Sequence, residues 1–274
     1  MAHYTPPPDA CDAHCHIWGP AAQFPFAANR PFTPPDRGKE DLAALYSRLG
    51  LTRSVIVQAI VHGTDNSAML DAIASSSGRY RGIALIDDSF DERALQELHE
   101  GGVRGVRFGF VKHLKARPDL GFFRRMVDRI APLGWHAQIH LDAADLVELK
   151  DELDALRIPF VIDHMGRVDA AGGLDQPAFR ALLEQVRREN CWVKVSGSDR
   201  VSAEGPPFHD ALPFAQALIR AAPDRVVWGT DFPHSNPRHD VEDDAALLNL
   251  LPLMADEAGL RRLLVDNPAR LYGF

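Results

Sequence analysis

Two histidines one residue apart, in Asp12-Ala13-His14-Cys15-His16, are the first residues of this chain whose types and spacing could do chemistry. Side chains alternate on a β-strand, so His14 and His16 are expected on one face, with Asp12 beside them. Such a pair could hold a metal, polarise a carbonyl or pack. Two neutral imidazoles in one pocket each need a partner, which weighs against packing alone. Further candidates follow short apolar runs: His62, Arg107, His140, His164, Ser196 and Asp231. His164 lies in Asp163-His164-Met165-Gly166-Arg167, where Gly166 favours a tight turn that leaves the imidazole free. Asp231 lies in Trp228-Gly229-Thr230-Asp231-Phe232-Pro233-His234. A turn or capping role is its plain alternative. Arg107 and Arg200 are candidate clamps for an anionic group, since a strand-end arginine needs a carboxylate partner from the protein or from a substrate. Lys112 and His113 could extend that positive rim, whereas Arg104, His3, His99, His136 and His209 read as structural or exposed.

The elements that must position these residues alternate along the chain. Strand candidates are the run around Asp12 to His16, Ser54 to Gln58, Gly82 to Ile86, Gly105 to Phe108, His136 to His140, Phe160 to Asp163, Trp192 to Ser196 and Arg225 to Trp228. Helical spacing fills the gaps: Lys39 to Leu49, Thr64 to Ser77, Asp91 to Glu100, Leu120 to Leu133, Ala143 to Leu156, Gln176 to Glu189 and Phe208 to Ala221. Trp18 to Arg37 is too rich in proline for helix or central strand and reads as a long ordered loop. Helix returns after Glu242, and Asp266-Asn267-Pro268 opens a last short one. Eight strands alternating with helices point to an α/β (β/α)8 barrel, with a doubly wound sheet as the rival. The barrel places catalytic residues at the C-terminal ends of its strands, and the candidates above stand at such ends.

The chain of 274 residues suits one domain of this kind, residues 1–274. Its 46% apolar and 25% charged residues allow a large core, and a formal net charge of −8 argues against nucleic acid or anionic membranes as partners. Three cysteines, Cys11, Cys15 and Cys191, in apolar contexts suggest a reduced cytoplasmic protein. The start lacks the pattern of a signal peptide, and no run is long enough to span a bilayer.

His14-Cys15-His16, Val57-Gln58-Ala59, His62-Gly63-Thr64-Asp65-Asn66, Gly105-Val106-Arg107-Phe108, Asp163 to Arg167 and Trp228 to His234 together resemble the amidohydrolase superfamily. Within it they are most similar to the branch of 2-pyrone-4,6-dicarboxylate lactonases, in order from Asp9 to Tyr272. The resemblance implies a distorted barrel that hydrolyses a lactone in the breakdown of aromatic compounds. It implies Asp231 as the base that activates water, with His14, His16 and His164 on the attacked carbonyl. It also implies Arg107 and Arg200 on substrate carboxylates, and a reaction that runs without a metal.

The sequence departs from that pattern at His140, where the branch carries tyrosine and metal-binding relatives carry histidine. His113, Phe32 and Ile60 replace a basic residue, a tyrosine and a serine. The substrate is therefore open among carboxylated lactones, with pyrone, muconolactone, sulfonated muconolactone and sugar-acid lactones as members of the set. Expected substrate contacts are Arg107, Arg200, His113, Phe32, His62 and Ser196. A metal-dependent version would hold one divalent ion, zinc best, on His14, His16, His140 and Asp231. Other chemistries open to such a site are decarboxylation of a carboxylated aromatic or muconate, lactone isomerisation, and ligand binding without turnover.

Overall fold

Eight short runs become eight parallel strands because most of their residues are buried on both faces, and β2, β6, β7 and β8 are rich in β-branched or aromatic residues. They are β1 Cys11–Cys15, β2 Arg53–Val57, β3 Tyr80–Ala84, β4 Val103–Gly109, β5 His136–His140, β6 Phe160–Ile162, β7 Cys191–Lys194 and β8 Val226–Val227. The computed structural model describes residues 4–111, 119–235 and 237–274. Strand order is sequential from β1 to β8, and every pairing is parallel. The end of β8 returns to β1 through backbone bonds from Ala13 to Trp228, from Asp231 to His14 and from His16 to Phe232, at 2.8, 2.8 and 2.7 Å. The sheet therefore closes into a barrel, and the doubly wound alternative is excluded. Closure is tight at Gly229, where a Cβ would lie 2.4 Å from the His14 nitrogen, so only glycine fits.

The helices that coat the barrel are α1 Lys39–Leu49, α2 Ser67–Ala74, α3 Glu92–Glu100, α4 Leu120–Ile130, α5 Leu146–Ala155, α6 Pro177–Val186, the single-turn α7 Ser198–Val201, and α8 Leu212–Ala221. Four short helices follow: α9 Asp244–Leu248, α10 Leu251–Met254, α11 Glu257–Arg261 and α12 Asn267–Tyr272. Most differ from the sequence reading only at their ends, where helices fray and single 3₁₀ turns intervene. Apolar residues on the outer strand faces pack against the helices in the main core, while Ala13, Val55, Val57, Ile83, Val161 and Val227 fill the barrel interior. Tyr272 of α12 joins that interior cluster, and Phe274 lies against Arg53 and Arg81 near the starts of β2 and β3, so the C-terminus plugs the bottom of the barrel.

One expectation fails inside β1. Asp12 pairs with Ser54 and Cys15 with Ile56, so β1 holds one residue more than β2 over this interval. The extra residue is a β-bulge, and it breaks the alternation of faces. Ala13 and His14 both turn inward, whereas Asp12 turns toward the helical layer and accepts from the Tyr46 hydroxyl of α1 at 3.1 Å. Asp12 also accepts from Thr230 and from the His14 nitrogen, pinning β8 to β1. It braces the histidine pair from behind rather than sharing its face.

The proline-rich stretch is a loop whose ends meet, since Trp18 and Arg37 exchange backbone bonds of 2.8 and 2.7 Å. No helix among the described residues is long and apolar enough to cross a membrane.

Candidate active site

A cavity of about 440 Å³ opens at the C-terminal end of the barrel, lined by Pro31, Phe32, Ile60, Arg107, His140, His164, Arg167, Arg200, Asp231 and Ser235. Its floor is Asp231, which follows β8 and is 1% exposed. One carboxylate oxygen, Oδ2, accepts from Arg200 Nε at 2.7 Å and from Nη2 of the same guanidinium. The other, Oδ1, accepts no hydrogen bond from a described residue. It faces three imidazole nitrogens, His16 Nε2 at 3.3 Å, His14 Nε2 at 3.6 Å and His164 Nε2 at 3.8 Å. Burial by itself would raise the Asp231 pKa, but Arg200 and then His164 outweigh it and hold the carboxyl well below its ordinary range. Asp231 is thus an ionised carboxylate with one oxygen free to take a proton.

The backbone is strained where these groups sit. Asp231 and His164 adopt φ of +64° and +50°, the left-handed region that side chains other than glycine rarely occupy. Each such residue costs on the order of 1 kcal/mol or more and persists because its surroundings over-determine it. Around His164 the neighbour that permits this is Gly197, where a Cβ would come 2.9 Å from the His164 Cβ.

The imidazoles are not equivalent. His16 Nδ1 lies 2.8 Å from the Val57 carbonyl, which can only accept, so Nδ1 carries the proton and Nε2 presents a lone pair to the cavity. His14 Nδ1 instead meets the ammonium of Lys194 at 3.2 Å. His164 Nδ1 pairs with the Ser196 hydroxyl at 3.0 Å, which suits either tautomer. Burial drives the pKa values of His14, His140 and His164 well below the ordinary histidine value, so these rings are neutral. In that tautomer the cavity-facing nitrogen of His16 accepts, whereas the expected contact with an oxyanion asks for a donor.

Beneath the pair lies a buried polar network of Lys194, Gln138 and Asp163. Lys194, fully buried on β7, donates to the Gln138 side chain at 2.8 Å and to the Ala13 carbonyl at 2.9 Å. Asp163 Oδ2 accepts from Gln138 at 3.1 Å and from Arg107 Nε at 3.2 Å. Burial raises the Asp163 pKa, but Lys194 and Arg107 more than reverse it, and the carboxyl is held low. Burial pushes the Lys194 pKa down to about 8, with Asp163 opposing. The ammonium therefore remains the main form at neutral pH.

Several expected contacts take other places. His62 is not among the residues lining the cavity. Its Nε2 accepts from the Gly19 nitrogen at 3.0 Å and its Nδ1 donates to the Pro25 carbonyl at 3.3 Å, so it ties down the long loop that carries Phe32. Ser196 stands behind His164 rather than in the wall. Phe32, Arg107 and Arg200 do line the cavity, though each arginine also holds a carboxylate of the protein. His113 lies outside the described residues. Lys194, Gln138, Asp163 and Arg167 were missed as site residues. Lys194 had a readable signal, a charge inside an otherwise apolar strand of a parallel sheet.

Two groups of residues are close enough to share a metal ion, His14 with His16 and Asp231, and His14 with Asp163 and His164. Neither includes His140, which corrects the four-ligand set expected from sequence: His140 lies at the wall with its ring centre 6.0 Å from that of His164. Charge opposes an added dication at one place, because the buried Lys194 ammonium lies 3.2 Å from the His14 ring. His14 Nδ1 faces both this ammonium at 3.2 Å and Asp163 Oδ1 at 3.4 Å. By distance the residues resemble a metal centre; the lysine charge beneath His14 is what does not fit one.

A family model described as Amidohydrolase matches residues 11–274. Among curated proteins the chain is 46% identical to a 2-pyrone-4,6-dicarboxylate hydrolase of Comamonas testosteroni, over 97% of this chain and 90% of the relative. It is 42% identical to a 4-sulfomuconolactone hydrolase of Rhizobium radiobacter, over 97% and 91%. A crystal structure of an Agrobacterium tumefaciens protein superposes with a TM-score of 0.87 at 29% identity, covering 98% of this chain and 97% of the other.

Proposed function

The chain belongs to the amidohydrolase family, and from that premise we propose that it opens a carboxylated lactone with water activated by Asp231, all 274 residues acting as one barrel domain. The observation that carries this reading is Asp231 Oδ1, ionised, buried and without a hydrogen bond among the described residues, set among three imidazole nitrogens at the cavity floor.

A water resting beside both Asp231 Oδ1 and His16 Nε2, which are 3.3 Å apart, meets two acceptors, so its protons turn toward them and its lone pair toward the carbonyl. Asp231 takes one proton as the water oxygen bonds to the carbonyl carbon. The developing oxyanion is stabilised by N–H donors, His14 first and His164 in its donating tautomer. One such donor contributes on the order of 10²–10³ in rate. When the ring C–O bond breaks, the proton held by Asp231 passes to the departing oxygen. No step needs a metal ion.

The cavity wall narrows the substrate. Arg107, Arg167 and Arg200 supply positive charge for anionic groups, while Pro31, Phe32 and Ile60 form an apolar side. An unsaturated lactone bearing carboxylate or sulfonate groups suits both halves. A sugar lactone would bury hydroxyls against that apolar side without partners. The partner is thus a small anionic lactone, and no nucleic acid or membrane is needed.

The test is a proton-release assay on 2-pyrone-4,6-dicarboxylate, 4-sulfomuconolactone and a sugar-acid lactone, run in ¹⁸O-water with and without a chelator. Turnover of an anionic unsaturated lactone, with label in the product carboxylate and no loss on chelation, is the expected result. Product without label would make the enzyme an isomerase, carbon dioxide release would make it a decarboxylase, and loss of turnover on chelation would restore a metal.

A further inference from the structure

Every group of described residues close enough to share a metal contains His14, so the proton on that one ring decides what the whole site can do. An ammonium carries three N–H donors and no acceptor. Around Lys194 Nζ the three nearest acceptors are the Gln138 amide oxygen at 2.8 Å, the Ala13 carbonyl at 2.9 Å and His14 Nδ1 at 3.2 Å, with Asp163 Oδ1 farther out at 3.5 Å. A proton on His14 Nδ1 would set two donors against each other at that last contact. The rival partner for such a proton, Asp163 Oδ1, lies 3.4 Å from Nδ1 yet accepts no hydrogen bond from a described residue. Meanwhile His14 Nε2 is buried, points at the cavity floor and is likewise without a partner among the described residues.

We propose that Lys194 is a positioning residue that holds His14 as its Nε2–H tautomer, so that His14 donates to the carbonyl oxygen of the substrate and is withdrawn from metal binding. The two members of the histidine pair then have opposite polarity. Val57 makes His16 the acceptor that orients water, and Lys194 makes His14 the donor that receives the oxyanion. A dication shared with His16 and Asp231 needs the same His14 nitrogen with its lone pair exposed, and one on the Nδ1 side, near Asp163, would stand against the lysine charge.

The donor role rests on the lactonase reading, whereas the tautomer does not, so the two can fail separately. Imidazole ¹⁵N NMR of the substrate-free wild-type protein, with His14 assigned by its absence in His14→Asn, reads the tautomer directly. A protonated Nε2 and an unprotonated Nδ1 are expected, and the reverse overturns the proposal whatever the substrate proves to be. In Lys194→Met the His14 proton is expected to move to Nδ1, facing Asp163. Zinc affinity measured by calorimetry should rise at least about tenfold, since both the blocking proton and the nearby charge are gone. With 2-pyrone-4,6-dicarboxylate as substrate, kcat should fall by about 10²-fold with KM within about threefold, the signature of a lost transition-state donor. An unchanged tautomer or unchanged zinc affinity in the folded variant overturns the role of Lys194. If Lys194→Met does not fold, the wild-type spectrum decides alone.

Discussion

Asp231 has two oxygens with different work. Oδ2 is held by Arg200, which keeps the carboxylate ionised, and Oδ1 is left for the reacting water. Asp231→Asn keeps the shape and removes the base, so kcat is expected to fall by at least about 10³-fold while the circular dichroism spectrum is unchanged. A base must be ionised to act, and a depressed pKa keeps Asp231 ionised as pH falls. The acidic limb of kcat/KM is therefore expected below the ordinary aspartate value of about 4. Arg200→Met removes the largest influence that opposes burial, so the limb should move up by about 1–3 pH units in the same assay. A limb that stays in place would show that another charge sets the Asp231 pKa.

At the scale of elements, the site depends on a bulge and a loop that are both held from behind. The bulge in β1 turns His14 inward, and Gly229 gives it room against β8. Gly229→Ala would place a methyl 2.4 Å from the His14 nitrogen, in backbone that cannot yield. Destabilisation of about 1–3 kcal/mol by urea titration is expected, with activity falling further than stability because His14 moves. His62 acts on the loop between Trp18 and Arg37 by accepting from Gly19 and donating to Pro25. His62→Leu fills the same space without either bond. KM should rise about tenfold or more as Phe32 loses its fixed position, with kcat little changed, which steady-state kinetics would separate.

For the molecule as a whole, stability carries a pH signature away from the reaction centre. His234, after β8, bonds Asp244 of α9 at 2.8 Å and ties the barrel to its C-terminal helices. Burial lowers the His234 pKa, but the Asp244 carboxylate outweighs it, and the net shift is upward. A raised folded pKa means that the ion pair stabilises fully below the unfolded histidine value of about 6.5 and fades as pH rises through the folded one. The stability difference between wild type and His234→Gln is thus expected to be about 1.5–3 kcal/mol near pH 6 and to shrink by pH 9, as chemical denaturation at both pH values would record. The barrel itself was legible because strand and helix each leave a periodic mark and because polar residues cluster at strand ends. Boundaries were less so: β8 is only two residues long, and its apparent run in sequence continues into the strained turn that carries Asp231.

The sequence alone determined the alternation of elements, the identity of the strand-end candidates and, through its motifs, the family, because those depend on residue type and local order. It could not determine which face each residue takes once a bulge intervenes, and so Asp12 was placed beside the pair it supports from behind. Nor could it assign protons. A tautomer is set by whichever atom faces the other ring nitrogen, here the Val57 carbonyl for His16 and the Lys194 ammonium for His14, from β2 and β7. Those partners are far apart in the chain and meet only when the barrel closes. Residue type made two histidines available, and tertiary structure made one an acceptor and the other a donor.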